Sequence, residues 1–204
     1  GKEAVLLPNG VDLERFDPGR AGPPPAACRG LPGPVVGFAG IMTARSFDAP
    51  LLAAAARRRR EWSFLLVGRP EGRVPGLAEL LAEPNVTAVG FRPPAELPAW
   101  VGGMDVCLIP WTENKWVESA FPLKLFEYLA MGKPVAARAS AVYREYAGEG
   151  GMVHCWRDGA GFEAAVEEAL ANDGPARRRR RIELARRNGW ERRAAALLEL
   201  AGMG

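Results

Sequence analysis

The sequence predicts a Rossmann-like α/β domain, in which a parallel sheet carries helices on both faces. Three observations predict it. Short, almost uniformly apolar runs alternate with Ala/Leu-rich segments of helical character, the pattern of strands buried on both sides. Three of those runs close on a glycine (Gly40, Gly68 and Gly90), where the following loop must turn sharply. No apolar stretch approaches the roughly 18 residues that a membrane span needs, which excludes a transmembrane protein.

The elements follow in order. Gly1 in place of Met reads as a piece of a longer or processed chain, and no secretory signal opens it. A first apolar segment at 4–8 is followed by a polar, Pro-rich stretch from Asp12 to Pro34, with Pro23, Pro24 and Pro25 in succession, which reads as loop or linker. Strands are expected at 35–40, 63–67, 86–89, 105–110, 135–137 and 151–154. Helices are expected at 49–60, 77–82, 95–101, 122–131, 162–171, 175–187 and 190–200. The division is therefore a first apolar segment with a Pro-rich linker (1–34), a Rossmann-like domain (35–187) and a closing helix (188–204). There is no internal repeat.

Composition narrows the function. Apolar residues make up 48% and charged residues 25%, and 27 Lys and Arg against 24 Asp and Glu leave a net charge of only +3. That is no nucleic-acid signature. The runs Arg57–Arg60 and Arg177–Arg181 are flanked by Ala-rich helical sequence and read as solvated helix faces rather than as an RNA or lipid surface. Cys28, Cys107 and Cys155 are scattered and suit a reducing, cytoplasmic compartment. With His154 as the one histidine, neither a zinc site nor a histidine-based triad can be assembled. His154 reads as a core or edge residue, and Cys107 as a buried small hydrophobe. The dinucleotide fingerprint is missing, because after the first strand the chain offers only Gly37-Phe-Ala-Gly40. The P-loop pattern is missing as well.

The chemistry concentrates in residues 118–135. Pro122 suits the first turn of a helix, where its missing N–H has no partner in any case. The free amides of that turn, with the helix dipole, make an anion site. Lys124 stands in the first turn, where a cation opposes the dipole unless an anion sits nearby. Glu127, a little over one turn on, can accept two hydrogen bonds from a vicinal diol such as a ribose. A phosphate-binding amide cluster one turn from a diol acceptor has the shape of a nucleoside diphosphate. A plain amphipathic helix burying Leu123, Phe126, Leu129 and Ala130 explains the apolar residues and leaves Pro122, Lys124 and Glu127 unexplained. Trp111 and Trp116 flank a loop beside this segment, where a sugar could stack.

This segment resembles the donor-binding region of glycosyltransferases with two Rossmann-like halves, the GT-B fold of group 1 or family 4 type. The resemblance runs over nearly the whole chain. Residues 5–16 look like the crossover into the family's C-terminal domain, 35–40 like its first strand and glycine loop, and 64–69 like its second strand. Residues 85–91, 97–100 and 104–110 follow in the expected order, and Asn188-Gly-Trp-Glu-Arg192 is similar to the closing helix that folds back toward the N-terminal half.

The resemblance implies a glycosyltransferase of hexosyltransferase type that takes a nucleoside-diphosphate sugar as donor, retains anomeric configuration, and needs neither cofactor nor essential metal. By position, Glu127 would hold the donor ribose. Pro122, Leu123 and Lys124 would serve the diphosphate, and Gly40 would let its loop approach the phosphates. Phe91 and Arg92 would lie at the base, largely through main chain. Lys124 and Arg45 would be the catalytic cations. The acceptor (a carbohydrate, a lipid-linked sugar or a small molecule) and its base would belong to an N-terminal domain that this chain lacks, so the chain alone would be inactive. Peripheral membrane association of the intact enzyme is part of the same expectation, and nucleic acid is not a partner. Ser119 stands where the family carries its first acid, with Glu118 one residue off, and no lysine follows Arg45 in the family's Arg-x-x-Lys manner. The alternatives are a non-catalytic nucleotide-binding or regulatory module and, third, a basic nucleic-acid binder.

Overall fold

The computed structural model describes residues 5, 7–143, 146, 147 and 151–202, without the side chains of residues 118 and 119. Six parallel strands form one sheet: β1 Val35–Ala39, β2 Ser63–Val67, β3 Val86–Gly90, β4 Val106–Ile109, β5 Val135–Arg138 and β6 Val153–Trp156. Their order is β3-β2-β1-β4-β5-β6. Chain order therefore reverses between β1 and β4, which places a crevice at their carboxyl ends.

The central strands are apolar on both sides because both sides are covered. Val36, Phe38, Phe64, Leu66, Val106 and Leu108 pack in one core with α2 (Ala49–Arg58), α3 (Leu77–Leu81) and α7 (Gly159–Ala171). Val35, Ala39, Leu65, Val67, Cys107 and Ile109 belong to the other, with α4 (Leu97–Gly102), α6 (Leu123–Ala130) and α8 (Pro175–Arg186). Asp48 caps α2 by accepting from the Leu51 amide at 3.0 Å, with Pro50 in the first turn. Asp158 caps α7 in the same way through the Gly161 amide at 2.9 Å.

Most expected elements stand within two residues of where the sequence puts them, and four expectations are corrected. The Pro-rich stretch is no loose linker. It contains the short helix α1 (Ala26–Arg29), and Val11, Phe16 and Cys28 are buried in the core. The loop after β4 contains another short helix, α5 (Lys115–Ser119), capped by Asn114. The strand expected at 151–154 runs instead over Val153–Trp156, so His154 is buried on an edge strand, with Nδ1 3.4 Å from the Glu168 carboxylate. Arg181, expected on a solvated face, is 1% exposed. Its Nε donates to the Gly132 carbonyl at 2.9 Å and its Nη2 pairs with Asp173, because Gly132 ends α6 against α8 and leaves a carbonyl to be satisfied. The run Arg57–Arg60, by contrast, is solvated as expected and paired with Glu61, Glu83, Glu163 and Glu167.

The chain ends in α9 (Trp190–Leu200), which buries no residue and leaves Leu197, Leu198 and Leu200 exposed. The segment before β1 lies beside the start of this helix: the Val11 amide donates to the Asn188 carbonyl at 3.0 Å, and the Trp190 amide to the Val11 carbonyl at 3.1 Å.

Candidate functional site

At the reversal point β1 and β4 separate, since their paired residues reach only to Val36↔Val106 and Gly37↔Cys107. Ala39, beyond that pairing, is held by a side chain from α6. The buried Tyr128 hydroxyl accepts from the Ala39 amide at 2.9 Å and donates to the Ala39 carbonyl at 3.3 Å. One phenol thus satisfies both polar groups of the last β1 residue and ties the strand end to α6.

Gly40 follows directly. Its φ of +147° favours glycine, and a Cβ there would overlap Cε and Nζ of Lys124. The next loop repeats the device: Gly68 has φ +141°, and a Cβ on it would overlap the Gly40 carbonyl. The Gly40 amide donates to Val67 at 2.8 Å and the Gly68 amide to Gly90 at 2.9 Å, so the carboxyl ends of β1, β2 and β3 are joined through backbone.

Helix α6 delivers the charged residues. Pro122 is its N-cap, in extended conformation (φ −77°, ψ 122°), one residue before the first turn where it was expected. It offers no side-chain cap, so the amides of Leu123 and Lys124 begin the helix without a helical carbonyl to reach. Leu123, which only the plain amphipathic reading would bury, is 46% exposed, while Leu125 and Tyr128 join Phe126, Leu129 and Ala130 in the buried face.

Lys124 is half-buried, with Nζ 5.4 Å from the centre of the Phe38 ring. Burial lowers its pKa, and Glu127 partly restores it. Glu127 is half-buried as well; burial raises its pKa, against Lys124 and Arg15. Arg15 comes from the segment before β1 and is itself paired with Asp12 at 3.2 Å. Among the described residues neither the Lys124 ammonium nor the Glu127 carboxylate makes a hydrogen bond or an ion pair. An ammonium and a carboxylate one turn apart are thus partly withdrawn from water, and neither has a hydrogen-bonding or ionic partner.

Arg45, on the loop after Gly40, is exposed and lies 5.5 Å over the Trp116 ring. Its carbonyl accepts from Thr112 and, at 2.8 Å, from Asn114 Nδ2, so the loops after β1 and β4 are tied together. Trp111 is buried against Tyr143 and cannot offer a stacking face, whereas Trp116 is 48% exposed. Phe91 is exposed after β3. Arg92 folds back, 5.1 Å over Trp100 and donating to Val89 at 2.8 Å. The side chain of Ser119 lies outside the described residues. Among the described residues no group of His, Cys, Asp or Glu is placed to hold a metal ion, and no helix is long and apolar enough to cross a membrane.

The structure thus gathers Gly40, Pro122, Leu123, Lys124 and Glu127 at one crevice, with Arg45 on its rim and Phe91 and Arg92 beyond β2 at the edge strand. Sequence reasoning missed Tyr128 and Arg15. A tyrosine directly after the key acid on a buried helix face was the available signal for the first, and nothing local marked the second.

Residues 33–172 match the family described as Glycosyl transferases group 1. The chain belongs to that family. A putative teichuronic acid biosynthesis glycosyltransferase of Bacillus subtilis, TuaH, is 36% identical over 138 residues, which are 66% of this chain and 34% of the relative. A D-inositol 3-phosphate glycosyltransferase of Xylanimonas cellulosilytica is 30% identical over a 220-residue alignment covering 96% of this chain and 50% of the relative. The chain therefore spans half or less of the length of these relatives. In fold it is similar to Anabaena Alr3699/HepE, solved in complex with UDP and glucose (TM-score 0.73, 17% identity, 97% of this chain and 56% of that one). The architecture is one Rossmann-like half of a GT-B glycosyltransferase.

Proposed function

We propose that this chain is the C-terminal, donor-binding half of a glycosyltransferase that moves a sugar from a nucleoside-diphosphate sugar to an acceptor, with retention of configuration. The observation that carries the reading is the half-buried pair Lys124 and Glu127 at the start of α6. Both are desolvated, neither has a direct partner, and both adjoin a glycine loop at the topological switch point. Burying charge without a partner is costly, so such a pair is explained best by a ligand that supplies what is missing.

Glu127 accepts from the ribose 2′ and 3′ hydroxyls, and the amides of Leu123 and Lys124 receive the diphosphate beside Gly40. Phe91 and Arg92 border the base, chiefly through main chain. In the transfer the bond from the sugar's anomeric carbon to the diphosphate oxygen breaks and a bond to the acceptor oxygen forms. The acceptor's proton goes to a base outside this chain. Negative charge grows on the departing diphosphate, where Lys124 and Arg45 act as catalytic cations in place of any essential metal. UDP bound by HepE supports a uridine donor as the first to try. The exposed apolar edge of α9 fits a helix that packs toward an N-terminal half, without which the chain is inactive. Three free thiols fit a cytoplasmic enzyme.

Ser119 in place of an acid favours a second reading, a nucleotide-binding module that has lost catalysis. Thermal melting with UDP, GDP, dTDP and ADP tests what both share. Ligand at 100 times its Kd raises stability by about 2.7 kcal/mol. One nucleotide should give this shift in the wild type and none in Glu127→Ala; no shift with any of them sinks both readings. Transfer regained on adding the N-terminal half separates the enzyme from the module.

A further inference from the structure

The loop from Gly40 to Asp48 is held by backbone near its ends and by side chains in its middle. The Gly40 amide donates to the Val67 carbonyl at 2.8 Å, the Met42 amide to Arg69 at 3.0 Å, and the Asp48 amide to Pro110 at 2.8 Å. Between those anchors Thr43 and Ser46 close a turn on themselves, with their hydroxyl oxygens 2.8 Å apart. Arg45 sits in that turn. Among the described residues its carbonyl has two donors, the Thr112 hydroxyl and Asn114 Nδ2.

Asn114 reaches in two directions. Its Nδ2 donates to the Arg45 carbonyl and to Thr112 Oγ1, each at 2.8 Å. Its Oδ1 accepts from the Val117 amide at 3.0 Å, as the N-cap of α5. Turned over, the side chain would set its oxygen against the Arg45 carbonyl and its NH2 against the Val117 N–H, two repulsions in place of two bonds. One half-buried amide therefore sets the start of α5 and the place of Arg45 together. The Arg45 guanidinium in turn lies 5.5 Å over Trp116, in the first turn of the same helix.

We propose that Asn114 is a positioning residue of the donor site, one that touches no part of the nucleotide and fixes the backbone from which Arg45 reaches the diphosphate. The proposal rests on the donor reading, in which Arg45 meets that group. A long side chain on a loose turn must be ordered when the ligand binds, whereas a turn already held leaves less to order. Asparagine is the residue this task needs. Aspartate would turn an oxygen toward the Arg45 carbonyl, serine caps α5 but stops short of Arg45, and alanine does neither.

Titration calorimetry with UDP and with uridine tests the proposal on wild type, Asn114→Ser, Arg45→Gln and the double variant. Arg45→Gln should weaken UDP about 10- to 100-fold, the range for a hydrogen bond to a charged group. Asn114→Ser should weaken UDP about 3- to 10-fold, the net worth of one ordinary hydrogen bond, and leave uridine, which has no phosphate, as before. Its melting temperature should stay near that of wild type, because serine caps a helix about as well as asparagine. Thr112→Val removes the other donor to the same carbonyl, spares the cap, and should behave alike. The double variant decides. A residue that acts through Arg45 adds nothing once Arg45 is gone, so the double variant should bind UDP as Arg45→Gln does. Fully additive losses overturn the proposal. So does Asn114→Ser binding UDP as tightly as wild type, or losing uridine in equal measure. Those failures leave the donor reading standing, whereas wild type that binds no nucleoside diphosphate brings down the donor reading and this inference together.

Discussion

The two ends of helix α6 handle buried charge in opposite ways. At the C-terminal end Arg181 is fully buried, and it is satisfied by the Gly132 carbonyl and the Asp173 carboxylate. At the N-terminal end Lys124 and Glu127 are only half-buried, yet they have no direct partner and influence each other from a distance. A satisfied buried cation is a fixture of the fold, and its removal leaves other groups unpaired. An unsatisfied pair costs the fold something and gains it nothing until a ligand arrives. The difference marks one end of the helix as structural and the other as a binding site.

The largest effect should come from the structural end. Arg181→Ala leaves the buried Gly132 carbonyl without its donor, at about 1–3 kcal/mol, and the loss of a large buried side chain adds the cost of the cavity it leaves, while the half-exposed Asp173 falls back on water. Calorimetry should show a much lower melting temperature, while the UDP Kd of the folded protein holds. A variant that melts normally but loses UDP would erase the contrast between the two ends.

Next in size is Glu127→Gln. Hydrogen bonds to a charged acceptor are worth about 1.5–3 kcal/mol, so UDP affinity should fall about 10- to 100-fold by titration calorimetry. Apo stability should stay level or rise, since a desolvated carboxylate has become a neutral amide. A large loss of stability would show that Glu127 belongs with Arg181 as a structural group.

Tyr128→Phe lies between the two. It unpairs both polar groups of Ala39, at about 1–3 kcal/mol of stability, and it frees the Gly40 loop, so UDP affinity should drop as well. Unchanged hydrogen exchange at the Ala39 and Gly40 amides would count against the strut.

Smallest in stability is Lys124→Met, which gives up the ammonium's place over the Phe38 ring but also removes a desolvated cation, two effects of opposite sign. Melting of the free protein should hold or improve. UDP should bind more weakly while uridine, which has no phosphate, binds as before.

The pH dependence of UDP affinity follows from both shifts. Burial lowers the Lys124 pKa, so the ammonium is lost earlier as pH rises, and affinity falls through that lowered value. Burial raises the Glu127 pKa, so the carboxylate is protonated earlier as pH falls, and the ribose contact is lost there. The affinity profile should therefore be a bell with both limbs drawn inward. Free-protein stability has the opposite sign on each limb. It rises with pH between the lowered Lys124 value and the ordinary lysine range, where the unfolded chain holds the extra proton. It rises on acidification between the raised Glu127 value and the ordinary carboxylate range, where the folded chain holds it. A flat profile in Glu127→Gln on the acid side, with the basic limb kept, would assign the limbs.

The four central strands were legible as short apolar runs because both their faces are covered, whereas the edge strand β6, which carries His154, was placed two residues too early. The helix at 122–131 was legible too, since Lys124 and Glu127 interrupt an apolar pattern that needs neither. Helix α5 was not: five residues carry no period, and what holds them is the Asn114 side chain on the Val117 amide. Pro122 was read one position too deep for a similar reason, as proline's fixed φ suits the cap nearly as well as the first turn. The plain amphipathic alternative would have buried Leu123 on hydrophobicity alone, but as the first residue of α6 it stands 46% exposed.

The sequence by itself determined the architecture, the order of its elements, the glycine-closed strands and the charged turn of α6, because each follows from local pattern and backbone chemistry. Only the tertiary structure decided which arginine of Arg177–Arg181 is buried, which tryptophan is free, and that Tyr128 holds the end of β1. Five consecutive arginines are identical as letters. Their difference lies in what packs against each, and that is fixed when α8 crosses the end of α6 and a carbonyl there must find a donor.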